Sequence, residues 1–255
     1  MSLLRTELVG VKAIYFDLDD TLCGYWEASK RALAETFALH GPHGHTAEEM
    51  VRAWASAFRT FSPTIKRSEW YSTYLKSGGE TRLEQMRRAL AAVGLEDEPR
   101  AQLLSDSYGE LRDRYLSLFP ESIEVLDRLS AQFPLGLMTN GPADIQRQEI
   151  ATLGIEKYFR HILIEGEMGE GKPVAAVFRR AESLMGCEGS ELLFVGNSYH
   201  HDILPSIESG WRTVWVRRPT DIPPSADGQS QPEARPNDAP PPTLEINNLL
   251  ELFAG

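Results

Sequence analysis

Two cysteines in 255 residues, Cys23 and Cys187, are too few and too far apart for a disulfide framework, a zinc knuckle or a thioredoxin-type pair. One bridge between them stays open on spacing, but reduced thiols and a cytoplasmic setting are the simpler expectation. Long apolar runs are missing too. Nothing approaches the roughly 18–20 residues of a membrane span, and residues 1–7 lack the apolar stretch of a secretory signal. Positive charge is in deficit. With 26 Lys and Arg against 37 Asp and Glu, the net charge is −11, which repels nucleic-acid phosphates over most of a surface. No membrane and no nucleic-acid partner is expected, and the question of a protein partner stays open. A small phosphorylated molecule remains compatible, because a few local groups can overrule the global field.

What is present is a hydrophobic content of 42%, enough for a proper core, and one charged turn of special interest. The apolar run Ala13-Ile14-Tyr15-Phe16 stops at Asp17, and a second carboxylate follows at Asp19. A buried strand that ends in charge carries that charge at its C-terminal tip, where open α/β sheets bind ligands. Two carboxylates so close suit a hard cation such as Mg²⁺. They also permit a division of labour, one attacking as nucleophile and the other moving protons. An acidic turn with no further role is the plainer reading of this stretch alone.

From residue 24 to 119 the periodicity is helical. Thr46-x-x-Glu49 and Thr81-x-x-Glu84 have the form of capping boxes. The first leads into Met50, Val51, Trp54 and Phe58, the second into Met86, Leu90 and Val93, with a stop at Gly94. A further helix carries Leu104, Tyr108, Leu111, Tyr115 and Leu118 and is predicted to end at Pro120. Beyond it, helices through Ile123, Ile145, Val177 and the residues before Gly210 alternate with strands at 134–139, 161–164, 192–196 and 213–216. This alternation predicts an α/β protein with a Rossmann-like, mostly parallel sheet flanked by helices. Residues 1–23 and 120–255 would form that core and 24–119 an inserted all-helical cap. The stretch 219–242 holds eight of the sixteen prolines and is predicted to be a flexible surface loop, less plausibly a ligand for another protein's groove. A last strand at 243–246 and a helix through Leu249, Leu250 and Leu252 would close the core.

Three more strand ends carry residues suited to chemistry. Thr139-Asn140-Gly141 offers a hydroxyl and backbone N–H groups before a helix, a natural place for phosphate. Lys172 brings an ammonium to the start of the next helix. The turn from Gly196 to Asp202 returns an amide, Asn197, and a carboxylate to the same edge. Taken singly these are also a plain turn, a surface lysine and a helix cap. Their order at successive strand ends is what those readings leave unexplained.

In this combination the chain resembles the haloacid dehalogenase-like (HAD) hydrolase superfamily. Asp17-Leu18-Asp19-Asp20-Thr21 matches its first motif, Thr139 its second, Lys172 its third and Gly196 to Asp202 its fourth, while the insertion resembles a C1-type cap. The resemblance implies a phosphatase-type member, a Mg²⁺-dependent hydrolase that removes phosphate from a small phosphorylated metabolite through an aspartyl-phosphate. It makes Asp17 the nucleophile, and Asp19 the group that protonates the leaving alcohol and then activates water. Thr139, the Asn140 N–H and Lys172 would hold the phosphoryl oxygens. Mg²⁺ would bind Asp17, the Asp19 backbone carbonyl and the fourth motif, through Asn197 and Asp202; Asp202 would otherwise orient Lys172 or a metal-bound water. The family usually has an acid where this chain has Asn197, so a raised Mg²⁺ requirement is expected.

Other readings stay in view. A 2-haloacid dehalogenase needs no acid at position 19. Phosphonate cleavage would need a cap lysine, with Lys30, Lys66 and Lys76 available, and a phosphomutase would differ mainly in excluding water. A non-catalytic binding or regulatory protein on this scaffold would have Asn197 as its support. His40, His43 and His45, like His200 and His201, are expected to be ordinary imidazoles rather than metal ligands. Tyr25 and Trp26 are candidates for the mouth between cap and core, and Trp54 and Trp70 for helix packing.

Overall fold

The computed structural model describes residues 4–225, 227 and 230–253. Its centre is a six-stranded, all-parallel sheet in the order β3-β2-β1-β4-β5-β6. The strands are β1 (Ala13–Phe16), β2 (Leu135–Thr139), β3 (Phe159–Ile164), β4 (Leu192–Gly196), β5 (Arg212–Val216) and β6 (Leu244–Ile246). Successive crossovers run outward from β1 in one direction to β3 and then return to its other side at β4. The tip of β1 is therefore the topological switch point of the sheet.

Both faces of the sheet are covered, so its central strands are apolar on both sides. Ile14 and Phe16 join one cluster with Leu126, Leu137, Leu193 and Val214. Ala13 and Tyr15 point the other way, into a cluster with Met138, Phe178, Phe194 and Trp211. Strand β2 contributes Gly136 opposite Tyr15, and a Cβ there would come within 2.1 Å of the tyrosine ring. The glycine makes room for a large side chain at the middle of the sheet.

The chain leaves the sheet after Cys23 for five helices: α1 (Tyr25–His40), α2 (Ala47–Ile65), α3 (Trp70–Lys76), α4 (Gly78–Ala91) and α5 (Glu98–Tyr115). They bury their own core of Leu33, Phe37, Met50, Trp54, Met86, Leu90, Leu104 and Tyr108. The first capping box forms, with Thr46 Oγ1 accepting the Glu49 N–H (3.1 Å) and Glu49 accepting the Thr46 N–H (2.8 Å). The second does not. Helix α4 begins at Gly78, three residues before Thr81, because Asp144 accepts the Gly78 N–H at 3.0 Å and a tertiary cap replaces the local one. Nor does α5 reach Pro120: it ends at Tyr115, since the returning chain must lie against the departing one, with Gly24 N–H donating to Ser117 O (3.1 Å) and Phe119 N–H to Leu22 O (3.0 Å).

Helices α6 (Ser122–Ser130), α7 (Ala143–Leu153), α8 (Glu165–Met168), α9 (Ala175–Met185) and α10 (Leu204–Glu208) connect the later strands. Ile123, expected to face inward on α6, is 39% exposed, and Val125, Leu126 and Leu129 form the buried side instead. The closing helix is a single 3₁₀ turn, Leu249–Leu252. No helix among the described residues is long and apolar enough to cross a membrane.

The Tyr15–Gly136 contact gives a test. Gly136→Ala forces a methyl group into a fully buried ring and is expected to cost about 1–3 kcal/mol, read as a lower urea midpoint at unchanged slope. An unchanged midpoint would show that the sheet yields at this position.

Candidate active site

Four turns meet at the tip of β1. The Asp17 N–H still donates to Val195 O (2.9 Å), so the backbone stays in register with β4 while the side chain leaves the sheet. The next residues wind into a tight turn in which Asp20 adopts a φ of 56°, a left-handed backbone that aspartate tolerates better than most residues. The Asp20 carboxylate accepts the Trp26 N–H (3.1 Å) in the first turn of α1. Buried Arg218 clamps the same turn, donating to Thr21 O (3.1 Å) and pairing with Glu121 (2.8 Å).

Lys172 places its ammonium 2.6 Å from Asp17 Oδ1 and 2.7 Å from Asp202 Oδ1. All three side chains are withdrawn from solvent, Lys172 being 2% exposed. Asn140 fixes the lysine backbone by donating to its carbonyl and accepting its N–H, both at 2.8 Å. The second oxygen of Asp202 accepts the Ser198 N–H (2.9 Å), which makes Asp202 a partner of Lys172 in this arrangement. Thr139 donates its hydroxyl to Gln146 Oε1 (2.6 Å), and the Gln146 amide donates to Asp19 Oδ2 (3.2 Å) and Glu149 Oε2 (2.8 Å).

Burial dominates the electrostatics. It pushes Asp17 up to about 7, against the pull of the Lys172 ammonium and with help from Asp202 and Asp19. The Asp19 carboxyl is also raised by burial, opposed by the Gln146 hydrogen bond and the Arg112 charge. A raised carboxyl holds a proton more readily than a free one, which favours a proton donor. For Lys172, burial acts to lower the ammonium, but the charges of Asp17 and Asp202 outweigh it and hold the group above its ordinary value.

Asp17 Oδ2 and Asn197 Oδ1 both lie 3.2 Å from the Thr21 hydroxyl. One hydroxyl proton serves one acceptor at a time, so two hard oxygens converge with too few donors between them, which suits Mg²⁺. Among the described residues no group of three or more His, Cys, Asp or Glu side chains is set for a metal, and the amide at 197 is part of the reason. A carboxylate stands beside that amide: Asp221 accepts from Asn197 Nδ2 at 2.8 Å.

Above these residues lies a cavity of about 460 Å³. Asp17, Asp19, Thr139 and Lys172 line it from the sheet, and Trp26, Trp54, Phe58 and Arg82 from the helical insertion. Tyr25 lines it as well. Trp54 both stacks on Phe58 (5.2 Å between centroids) and faces the cavity, whereas Trp70 packs edge-on against Phe61 (5.4 Å). Of the three cap lysines only Lys66 lines the cavity, and its ammonium is paired with Glu165 at 2.7 Å. His200 pairs with Glu233, and His45 lies 3.9 Å from Glu49.

Several participants carry no legible signal in the sequence. Gln146 and Glu149 sit three residues apart on α7, a spacing that puts them on one face, but nothing in the chain says that this polar face is buried. Arg112, which pairs with buried Glu149 at 3.4 Å, reads as an ordinary helix-end arginine. Asp221 lies in a stretch whose composition suggests only solvated loop.

Comparison with known proteins agrees with this geometry. The sequence profile of the haloacid dehalogenase-like hydrolase family matches residues 11–210, and a related profile matches residues 169–252. The chain is 31% identical to the phosphoserine phosphatase of Thermus thermophilus, over 95% of this chain and 98% of that one. It is 25% identical to the N-acylneuraminate-9-phosphatase of Rattus norvegicus, over 96% and 93%. Among solved structures, the magnesium-bound HAD-hydrolase YfnB of Bacillus subtilis superposes with a TM-score of 0.69 at 20% identity, covering 95% of this chain and 96% of that one. A strand-tip carboxylate pair, a lysine locked between two acids and a profile spanning most of the sequence lead to one conclusion: the chain belongs to the haloacid dehalogenase-like hydrolase family, as a phosphatase-type member.

Proposed function

We propose that the protein hydrolyses a small phosphorylated metabolite, with Asp17 attacking phosphorus to form an aspartyl-phosphate that water then cleaves. The carrying observation is the single short turn that holds Asp17 beside the Lys172 ammonium (2.6 Å) and Asp19 in the Gln146 network (3.2 Å) beneath one cavity. Splitting the displacement into two steps makes each one easier. Asp19 protonates the leaving alcohol in the first step and takes a proton from water in the second. Lys172, the Thr139 hydroxyl and the Asn140 N–H hold the phosphoryl oxygens as charge develops on them. Asp202 and Asn140 keep the lysine in place.

Mg²⁺, when bound, would shield the nucleophile from phosphate and offset charge in the transition state. Asp17, the Asp19 backbone carbonyl and Asn197 would hold it, and Asp221 would supply the negative charge that Asn197 lacks. Asp19 also separates this reading from dehalogenation, which has no leaving alcohol to protonate.

Asp17→Asn is expected to abolish Mg²⁺-stimulated hydrolysis of p-nitrophenyl phosphate in a protein that is still folded by circular dichroism but melts at a lower temperature, because Lys172 keeps only one of its two counter-ions. Turnover that survives the substitution would sink the aspartyl-phosphate mechanism. Asp221→Asn is expected to weaken Mn²⁺ binding, with Mn²⁺ as a stand-in followed by electron paramagnetic resonance. A loss of roughly fivefold or more corresponds to on the order of 1 kcal/mol of charge interaction. Equal affinity in the two proteins would remove Asp221 from the cation site.

A further inference from the structure

Helix α5 has a glycine at position 109, in its interior, where glycine costs roughly 1 kcal/mol relative to alanine. The gap is filled by Arg82 from α4. A Cβ at 109 would come within 2.7 Å of the Arg82 Cζ and within 2.9 Å of both terminal nitrogens, so the guanidinium lies flat on the bare backbone of α5. Arg82 lines the same cavity as Asp17 and Asp19.

This guanidinium has no ion-pair partner among the described residues, and the charge of Asp113 reaches it only from beyond contact distance. Among the described residues no carboxylate oxygen lies within 4.0 Å of Arg82, and its one hydrogen bond is a long contact to Ser105 Oγ (3.4 Å). Its charged neighbour Arg112 is different, being paired with Asp113 (2.8 Å) and Glu149 (3.4 Å). Burial and then the like charge of Arg112 make the Arg82 cation less favourable than in water. A partly buried arginine seated at the expense of helix stability, beside a second arginine and facing a cavity, is a half-built anion site. Its planar fork suits a carboxylate.

We propose that Arg82 binds a carboxylate at the end of the substrate remote from its phosphate, so that the substrates are small phosphomonoesters of hydroxy or amino acids. This rests on the phosphatase reading for the identity of the other end. It goes beyond that reading in assigning the cap arginine and the second charged group. Trp26 and Phe58 add apolar surface to the wall of the cavity, and the two charged ends fix the orientation of the ligand between them.

The test compares esters that differ in the carboxylate: 3-phosphoglycerate against glycerol 3-phosphate, and O-phosphoserine against O-phosphoethanolamine. The kcat/KM ratio within each pair is expected to favour the carboxylate in the wild type and to fall roughly 10–100-fold in Arg82→Gln. Gly109→Ala, which improves helix propensity and so preserves the fold, is expected to lower the same ratio by dislodging the guanidinium. Binding is measured apart from turnover in the Asp17→Asn background, by titrating tryptophan fluorescence, since Trp26 and Trp54 line the cavity. A carboxylate preference in binding without turnover in the wild type would overturn the phosphatase reading and leave Arg82 standing. No preference, or the same preference in Arg82→Gln, would overturn the proposal. So would a gain confined to fructose 1,6-bisphosphate over fructose 6-phosphate, which would assign Arg82 to a second phosphoryl group.

Discussion

Lys172 carries an ammonium where almost no water reaches it, and that is tolerable only because two carboxylates stand within 2.7 Å. Removing either acid would leave a buried charge poorly compensated, a far larger penalty than the net worth of the pair. The three residues come from the tip of β1, the turn before α9 and the turn after β4, so this one electrostatic requirement ties three crossovers to a single point. The sheet order brings those turns together, and the ion triad specifies how closely. Fold and site are here one constraint seen at two scales, because a shift in any of the three turns would separate the charges.

Directional contacts tie the insertion to the elements around that point. Asp144 caps the N-terminus of α4, Lys66 reaches buried Glu165, and Arg112 reaches buried Glu149. Each joins a helix of the insertion to an element of the sheet domain. Such contacts add less net stability than apolar area does, but they are specific in angle and register. Glu149 is linked through Gln146 to Asp19 and Thr139, so the seating of Arg112 and the orientation of Asp19 belong to one hydrogen-bonded network. The position of the insertion is thereby joined to the arrangement of the polar groups at the strand tips.

The readability of the chain follows the range of the forces involved. Strands β1, β2, β4 and β5 were legible because burial on both faces demands continuous apolar runs. Asp17 and Thr139 stand out in the sequence because each is the polar end of such a run, and Lys172 and Asp202 because they are charges in the connections that follow β3 and β4. The start of α4 was not, since its cap comes from Asp144, sixty-six residues away. The end of α5 was misplaced for a related reason: its apolar spacing continues to Leu118, but the antiparallel return beside Cys23 overrides it. Gln146, Glu149 and Arg82 are polar residues on helices, a pattern that sequence alone assigns to solvent. Only the third dimension shows that their faces turn inward.

Asn197 illustrates how a local departure is answered from a distance. Read along the sequence, the amide removes a negative charge from the turn after β4. Read in space, a carboxylate stands 2.8 Å from that amide, on Asp221 at the start of the proline-rich stretch. The same stretch returns Glu233 to the turn, where it accepts the N–H groups of Tyr199 (2.8 Å) and His200 (3.1 Å) and the Ser198 hydroxyl (2.9 Å). Prolines restrict the unfolded chain and so reduce the entropy lost when a segment without secondary structure is laid on a surface. An acid at 197 would set two carboxylates against each other across the contact that the amide now bridges, because an amide donates where a carboxylate only accepts. The asparagine and the aspartate therefore make sense as a pair: the amide at 197 donates to the carboxylate that the loop lays beside it.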